Sequence, residues 1–305
     1  MKKMSLFLLT MAMMLVLAAC SLDSGTKTES DSSKKDDDSI VIGLSVSTLN
    51  NPFFVTLTDG AEEKAKELGA TLSVVDAQDN ASKQASDVED LIQQKVDLII
   101  INPVDSSAVA TAVEAVNAAG IPVITVDRMA EGGEVVTHIA SDNVAGGVLA
   151  GEYLLELVGE GAKVAELEGV AGSSAARDRG EGFNTAVDGK LDVVAKQTAN
   201  FNRAEGLTVM ENILQANPDI VGVFAHNDEM ALGALEAIAA SGKDIKVIGF
   251  DATDDAVKAV SEGTLSATVA QKPEEIGTKA IEAAIKHLNG ETVEASIPVE
   301  LELIK

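Results

Sequence analysis

Short apolar segments alternate with longer segments of helical periodicity from residue 40 to residue 305, and this alternation constrains the fold more than any other feature. It predicts βαβ units, in which parallel strands form a sheet and helices cover its faces. The predicted strands are residues 40–44, 71–76, 98–102, 123–127, 138–141, 163–167, 193–198, 221–226, 246–251 and 265–270. The predicted helices include residues 81–95, 108–119, 144–158, 203–215, 229–241 and 276–288. The sequence therefore predicts an α/β fold with largely parallel sheets.

The segment with this alternation is too long for one typical hydrophobic core and suits two domains of ordinary size. About ten strands in one flat sheet would also be unusual, whereas two similar halves are easier to build. The break between the halves is predicted at residues 141–143, where a strand is followed by the glycine-rich start of a helix.

The N-terminus has the pattern of an export signal. Lys2 and Lys3 precede an apolar run at residues 6–17, which is too short for a comfortable membrane span. Leu17-Ala18-Ala19-Cys20 resembles the lipobox of bacterial lipoproteins, in which the cysteine becomes the lipidated first residue of the mature chain. We therefore expect a signal peptide at residues 1–19 and a lipid on Cys20. The alternative is an ordinary signal peptide with an incidental cysteine.

Cys20 is the only cysteine of the chain, so no disulfide is expected within the exported protein. Residues 21–38 consist almost entirely of Ser, Thr, Lys, Asp and similar residues, which cannot bury enough apolar surface to fold. Residues 20–38 are therefore predicted to be a lipidated cysteine and a flexible tether. The expected location is extracytoplasmic, with the protein anchored to the outer face of the cell membrane.

The formal net charge is −26, and no basic stretch interrupts the acidic composition. Nucleic acids and anionic lipids are polyanions that bind to basic surfaces. This charge argues against both as partners of the protein surface.

Residues 47–54 form the predicted loop between the first strand and the first helix. Pro52 suits the first turn of that helix, and Asn51 can cap its start. A cap does not explain why Phe53 and Phe54 stand together in a chain with 3% aromatic residues. Open α/β sheets bind ligands at the carboxyl ends of their strands, so this loop predicts a pocket with a polar edge and a flat apolar face. The alternative is a capped helix with two core phenylalanines.

Polar residues also follow several later strands, and residues at the same sheet edge should converge. Each one alone could simply cap the next helix. Together they bring carboxylates, guanidinium groups and amides near aromatic rings, a combination that suits a neutral ring with many hydroxyl groups. These residues are Asn102, Asp127, Arg128, Asn227, Asp228, Asp251 and Gln271, with a further cluster at Arg177, Asp178 and Arg179.

The same segments carry a resemblance to the periplasmic sugar-binding proteins of ABC transporters, strongest for members that bind D-ribose. The resemblance covers residues 39–305 and implies the type I periplasmic-binding-protein fold, with two Rossmann-like lobes joined by a three-strand hinge. It places residues 39–141 and 272–300 in the N-terminal lobe and residues 142–271 and 301–305 in the C-terminal lobe. The tether and lipobox suggest a Gram-positive, membrane-anchored form. The segments are residues 47–54, 101–103, 124–128, 138–143, 174–183, 227–231 and 249–251.

The resemblance also implies a ligand set, the partners D-ribose and ABC permease subunits, a monomer, and no cofactor. Phe201 is placed by its neighbours, because residues 188–191 are one residue shorter than the family pattern. Arg177 is expected to support Arg179, and His226 stands where the family has Gln, as a neighbour of the pocket rather than a ligand. The implied ligand residues are Asn51, Phe53, Phe54, Asn102, Asp127 and Arg128 from one lobe and Arg179, Phe201, Asn227, Asp251 and Gln271 from the other.

Three alternatives differ from this hypothesis. An enzyme is not expected, because the chain has no Gly-x-Gly-x-x-Gly after the first strand and no Gly-Lys-Ser/Thr phosphate loop, and His138, His226 and His287 lack metal-ligand spacing. A sugar-responsive repressor would need an N-terminal helix-turn-helix and a basic face. A binding protein for another pentose, a hexose or a sugar-like signal of the autoinducer-2 type stays open.

Overall fold

The computed structural model describes residues 40–305. The predicted signal peptide, the lipidation at Cys20 and the tether lie outside the described residues. Within residues 40–305 the chain forms two six-stranded sheets, each with helices packed on both faces. No helix in this part of the chain combines the length and the apolar character that a membrane span requires.

The first sheet has the strand order β11-β5-β4-β3-β1-β2, and all of its neighbouring strands are parallel. Its core is formed by α1 and α9 on one face and by α2 and α3 on the other. The elements of this lobe are β1 (Val41–Val46), α1 (Pro52–Glu67), β2 (Thr71–Asp76), α2 (Ala81–Gln94), β3 (Leu98–Ile101), α3 (Ala110–Ala118), β4 (Val123–Val126), β5 (Thr137–Ser141), α9 (Pro273–Leu288) and β11 (Ser296–Val299).

The second sheet has the order β12-β10-β9-β8-β6-β7, and only its edge strand β12 is antiparallel to its neighbour. The elements of this lobe are α4 (Asn143–Val158), β6 (Lys163–Glu168), α5 (Ser174–Val187), β7 (Asp192–Thr198), α6 (Arg203–Ala216), β8 (Gly222–Ala225), α7 (Asp228–Ser241), β9 (Lys246–Asp251), α8 (Asp254–Ser261), β10 (Ala267–Ala270) and β12 (Glu302–Ile304).

The chain passes from one sheet to the other after β5, after β10 and after β11. The first passage lies between β5, which ends at Ser141, and α4, which begins at Asn143. The predicted α/β fold with two lobes and parallel sheets is confirmed. The residue-level boundaries of the lobes stay a prediction.

The last helix packs against the first, which places it in the lobe where the chain begins. The two helices approach closely at Gly60 and Gly277. A Cβ at Gly277 would overlap the backbone carbonyl of Leu57, and a Cβ at Gly60 would press on the backbone of Glu274. Close approach of two helices requires glycine at such positions, because any side chain would separate them.

The structure differs from the predicted elements mainly at strand ends. β3, β4 and β8 each end one residue earlier than predicted, which leaves Asn102, Asp127 and His226 in the loops that follow. β11 and β12 were not among the predicted strands. β11 contains Pro298, which has no N–H to donate, and it lies at the edge of its sheet, where a proline is tolerated.

The two lobes contact each other directly through backbone groups at one side of the cleft. The Ser106 N–H donates to the Gly172 carbonyl (2.9 Å), and the Ser174 N–H donates to Ser106 Oγ (3.2 Å). The Met129 N–H donates to Ser174 Oγ (2.9 Å). We call this set of bonds the lobe–lobe contact. It joins the loops that follow β3 and β4 to the start of α5.

Candidate ligand-binding site

A small cavity lies between the carboxyl edges of the two sheets. Every predicted ligand residue except Asn102 lines it. The lining consists of Asn51, Phe53, Phe54, Asp127 and Arg128 from the first lobe and Ala175, Arg179, Phe201, Asn227, Asp251 and Gln271 from the second.

The β1–α1 loop contributes a helix cap and two aromatic rings. Asn51 Oδ1 accepts a hydrogen bond from the Phe53 N–H (3.0 Å), so Asn51 caps α1. This bond uses only the amide oxygen, and the amide nitrogen remains available as a donor. The rings of Phe53 and Phe54 meet edge to face, with centroids 5.1 Å apart. The loop therefore serves as a helix cap with two buried phenylalanines, and the same residues line the cavity.

Asp127 and Arg128 follow β4, and both side chains are buried. Asp127 has a φ of 61°, a conformation that few residues other than glycine adopt. Arg128 Nη1 donates to the Pro103 carbonyl (3.0 Å), and its guanidinium lies 5.2 Å from the ring centroids of Phe54 and Phe201. Burial lowers the pKa of Arg128, and the adjacent Asp127 carboxylate opposes that effect. The arginine thus joins aromatic rings from both lobes.

Asn102 lies behind the cavity rather than in its lining. Its Oδ1 accepts from the Ser47 N–H (3.1 Å), while its Nδ2 donates to the Val126 carbonyl (3.2 Å) and lies 3.4 Å from Asp127 Oδ2. Gln84 Nε2 in turn donates to the Asn102 carbonyl (2.8 Å). Asn102 is therefore placed to orient Asp127. A direct contact between Asn102 and a ligand stays a prediction.

Arg179 projects from α5 into the cavity and is held on several sides. Its Nε donates to Asn143 Oδ1 (2.8 Å) and its Nη1 to the His226 carbonyl (2.6 Å). The guanidinium lies 3.9 Å from the ring centroid of Phe250 and 3.7 Å from Asp251 Oδ1. Only 3% of the residue is exposed. Such a guanidinium presents its remaining N–H groups in a fixed direction.

Arg177 does not support Arg179 as predicted. Its guanidinium is exposed, forms an ion pair with Glu131 of the other lobe and donates to the Gly172 carbonyl (3.2 Å). Arg177 points away from the cavity because two helix positions rotate a side chain by about 200° around the axis. Its contacts extend the lobe–lobe contact instead.

Asp251 ends β9 and Gln271 directly follows the neighbouring β10, and Gln271 Nε2 donates a hydrogen bond to Asp251 Oδ1 (2.9 Å). Burial raises the pKa of Asp251 well above its ordinary range, against the attraction of the nearby Arg179 guanidinium. Asn227 caps α7 through its Oδ1, and its Nδ2 lies 3.4 Å from the Phe201 carbonyl. Amides and a carboxylate of the second lobe thus face those of the first.

Three buried polar atoms at the cavity have no hydrogen-bond partner among residues 40–305: Asp127 Oδ1, Arg128 Nε and Gln271 Oε1. A buried polar group left unpaired costs about 1–3 kcal/mol, so such groups are normally satisfied. Two of these atoms are acceptors and one is a donor. The two carboxylates are balanced by two guanidinium groups, so the site suits an uncharged ligand whose hydroxyl groups both donate and accept.

Ala175 lines the cavity but was not predicted. It precedes Arg179 by four residues and so lies on the same face of α5. An alanine offers no chemical signal, and only this helical spacing could have identified it. Within residues 40–305, no group of three or more His, Cys, Asp or Glu side chains is placed to bind a metal ion.

His226 forms a buried pair with Glu166 next to the cavity. The Gly169 N–H points at His226 Nδ1 (3.4 Å), so Nδ1 accepts and the proton resides on Nε2, which donates to Glu166 Oε1 (2.9 Å). Burial lowers the pKa of His226 and outweighs the attraction of Glu166. Burial alone would raise the pKa of Glu166, but hydrogen bonds from His226 and Asn184 lower it. The pair is therefore a neutral imidazole and a carboxylate.

Two α/β lobes that enclose a small polar cavity between their sheet edges define a solute-binding protein. The family described as periplasmic binding protein domain matches residues 42–292, and the chain belongs to this family.

Individual relatives agree with this membership. The chain is 57% identical to the ribose import binding protein RbsB of Bacillus subtilis, over 99% of both chains. It is 56% identical to the ribose import binding protein RbsB of Escherichia coli, over 86% of this chain and 90% of the relative. A solved ABC transporter solute-binding protein from Actinobacillus succinogenes, with bound D-allose, superposes with a TM-score of 0.82 at 33% identity and covers 87% of this chain and 97% of that one.

Replacing His226 by Gln should change how stability depends on pH. Because the folded protein keeps His226 neutral, the unfolded chain binds an extra proton below its ordinary pKa of about 6.5. The wild type should therefore lose stability relative to His226→Gln as the pH falls below about 6.5, by up to about 1.4 kcal/mol per pH unit. Denaturant unfolding of both proteins at pH 7.5, 6.5 and 5.5 measures the difference, in which shared groups such as His138 cancel. A pH-independent difference would show that folding does not shift the pKa of His226, and one of opposite sign would show that folding raises it.

Proposed function

We propose that this protein captures D-ribose between its two lobes and delivers it to the permease of an ABC transporter. The proposal rests on the cavity, whose lining combines two arginines, two aspartates, three amides and three phenylalanine rings. Hydroxyl groups of a sugar can pair with Asp127 Oδ1, Arg128 Nε and Gln271 Oε1, while the rings cover its C–H faces. The two relatives named for ribose import support this choice of sugar.

A second candidate ligand is another monosaccharide or a sugar-like signal. The structural neighbour with bound D-allose supports it, because that protein shares the fold and holds a hexose. The two relatives named for ribose import favour the pentose. Neither candidate requires chemistry on the sugar, and we propose binding without catalysis or cofactor.

Binding is proposed to couple to closure of the lobes. The cavity takes side chains from both lobes, so neither lobe alone can surround a ligand. A ligand that contacts both lobes favours the closed arrangement, because the second set of bonds exists only there. The permease is then proposed to recognise the acidic and polar rims that closure brings together. The protein acts as a monomer in this scheme.

The N-terminal segment is proposed to anchor the protein outside the cytoplasm through a lipid on Cys20. The support is sequence alone: the apolar run of residues 6–17, the tetrapeptide that ends in the only cysteine, and the polar residues 21–38. One acyl chain binds a membrane only reversibly, so stable anchoring implies more than one.

Titration calorimetry with a panel of monosaccharides should identify D-ribose as the tightest ligand, and Arg179→Ala should weaken its binding by roughly 2–4 kcal/mol, or about one and a half to three decades. The loss arises because hydroxyl groups and the Asp251 carboxylate would stay buried without their donor. Arg177→Ala is the matched control. It removes an exposed ion pair and should cost less than about 1 kcal/mol. Equal losses for the two arginines would contradict the assignment, and tighter binding of another sugar would replace ribose.

Gly172→Ala should weaken ribose binding although Gly172 does not line the cavity. A Cβ there would overlap the Asp105 carboxylate of the other lobe, which is fixed by the N–H groups of Ser107 and Ala108. The clash exists only when the lobes touch, so the variant should lose about 1–2 kcal/mol of binding free energy, on the scale of other overpacking changes. The double variant Asp105→Ala/Gly172→Ala should recover most of it. Native affinity of Gly172→Ala would show that ribose binds without the observed lobe–lobe contact.

Cys20→Ala should release the protein from the membrane fraction into the medium or cell wall. Cell fractionation and mass spectrometry of the purified N-terminus measure both consequences. A wild type without lipid mass, together with a mutant that stays on the membrane, would rule out the lipid anchor.

A further inference from the structure

A second buried carboxylate, that of Asp228, lies behind the cavity and takes no part in its lining. Asp228 is the first residue of α7, directly after Asn227, and it is fully buried. Thr268 Oγ1 donates to its Oδ1 (2.7 Å), and the Thr253 N–H donates to its Oδ2 (2.8 Å). One carboxylate therefore binds β10 and the segment that follows β9.

The segment it binds has an unusual backbone. Asp251 and Ala252 have φ values of 122° and 57°, which residues with a Cβ seldom adopt and which cost on the order of 1–3 kcal/mol each. The Ala252 N–H donates to Thr268 Oγ1 (3.2 Å), the same hydroxyl that donates to Asp228. The two N–H groups after Asp251 are thus held by Asp228, one directly and one through Thr268.

The Asp228 carboxylate fits against β9 only because residue 249 is a glycine. A Cβ on Gly249, two residues before Asp251 on β9, would overlap Asp228 Oδ1. The carboxylate therefore lies against the backbone of the strand that presents Asp251.

We propose that Asp228 is a positioning residue, which holds the turn at Asp251 and Ala252 so that the Asp251 carboxylate faces the sugar. This inference rests on the proposed sugar-binding function and adds a residue that does not itself contact the ligand.

The chemistry of the site favours this role over a contribution to stability. Burial raises the pKa of Asp228 to about 7, which means that the ionised form is held at a cost. Burying a charge is costly for a fold unless the charge is paired and hydrogen-bonded. A group that only supported the core would not need a charge, whereas a strained turn needs two acceptors aimed at its N–H and hydroxyl donors.

The test is a double-mutant cycle between Asp228→Asn and Asp251→Asn, with ribose affinity measured by titration calorimetry on the full-length protein. An amide offers one acceptor oxygen where the carboxylate offers two, so Asp228→Asn should weaken binding about tenfold. In the Asp251→Asn background the same change should weaken binding less than about twofold, because the carboxylate that it positions is already gone.

Two further variants separate positioning from general destabilisation. Thr268→Val should reproduce the loss of affinity, and Thr268→Ser, which keeps the hydroxyl, should restore it. Ile213→Ala removes a buried side chain of α6 and should lower the melting temperature while ribose affinity stays unchanged. This control shows that lost stability alone does not weaken binding.

Native ribose affinity of Asp228→Asn, or equal losses in both backgrounds, would overturn the inference. A wild type that fails to bind ribose would instead refute the proposed function, so the two failures are distinguishable. If Asp228→Asn does not fold, the Thr268 pair decides: equal affinity of the Val and Ser variants would overturn the proposal.

Discussion

The structure depends on burying two carboxylates and two guanidinium groups at the meeting edge of two sheets. Isolated buried charges are very unfavourable, so they must be paired and hydrogen-bonded. Asp127 and Arg128 come from one lobe, and Arg179 and Asp251 from the other. Their charges balance, but Asp127 Oδ1 and Arg128 Nε have no hydrogen-bond partner within residues 40–305. In the proposed function, the hydroxyl groups of a neutral ligand pair with these atoms, and the contacts of that ligand with both lobes couple sugar binding to lobe closure.

A layer of polar residues behind the cavity fixes the groups that face it. In the first lobe, Asn102 orients Asp127 by hydrogen bonds to strand ends. In the second, Asn143 holds Arg179, and Asp228 holds the turn at Asp251. The backbone has a positive φ at three residues that line the cavity, which are Asp127, Phe201 and Asp251. Strain of this kind persists only where surrounding bonds over-determine it.

The alternation of strands and helices predicted the fold, because hydrophobic periodicity and strand-end polarity are local properties of the sequence. It could not predict β11. This strand is short and contains Pro298, which a sheet tolerates only because β11 lies at its edge. Strand-end chemistry also identified most of the lining, but it could not separate the lining from the layer behind it. Asn102 and Asp228 are polar residues that follow strands, like the residues that line the cavity. Only the packing of adjacent strands places these two behind the cavity. The resemblance already selected Arg179 rather than Arg177 for the pocket, but the contacts of Arg177 with Glu131 and Gly172 could be found only in the structure.

Small-angle X-ray scattering with and without ribose tests most directly the claim that the sugar joins the two lobes. We expect a smaller radius of gyration at saturating ribose, because the lobe–lobe contact and the cavity form together when the ligand bridges Arg128 and Arg179. An unchanged radius of gyration, with ribose binding confirmed by calorimetry in the same sample, would contradict closure as the consequence of binding.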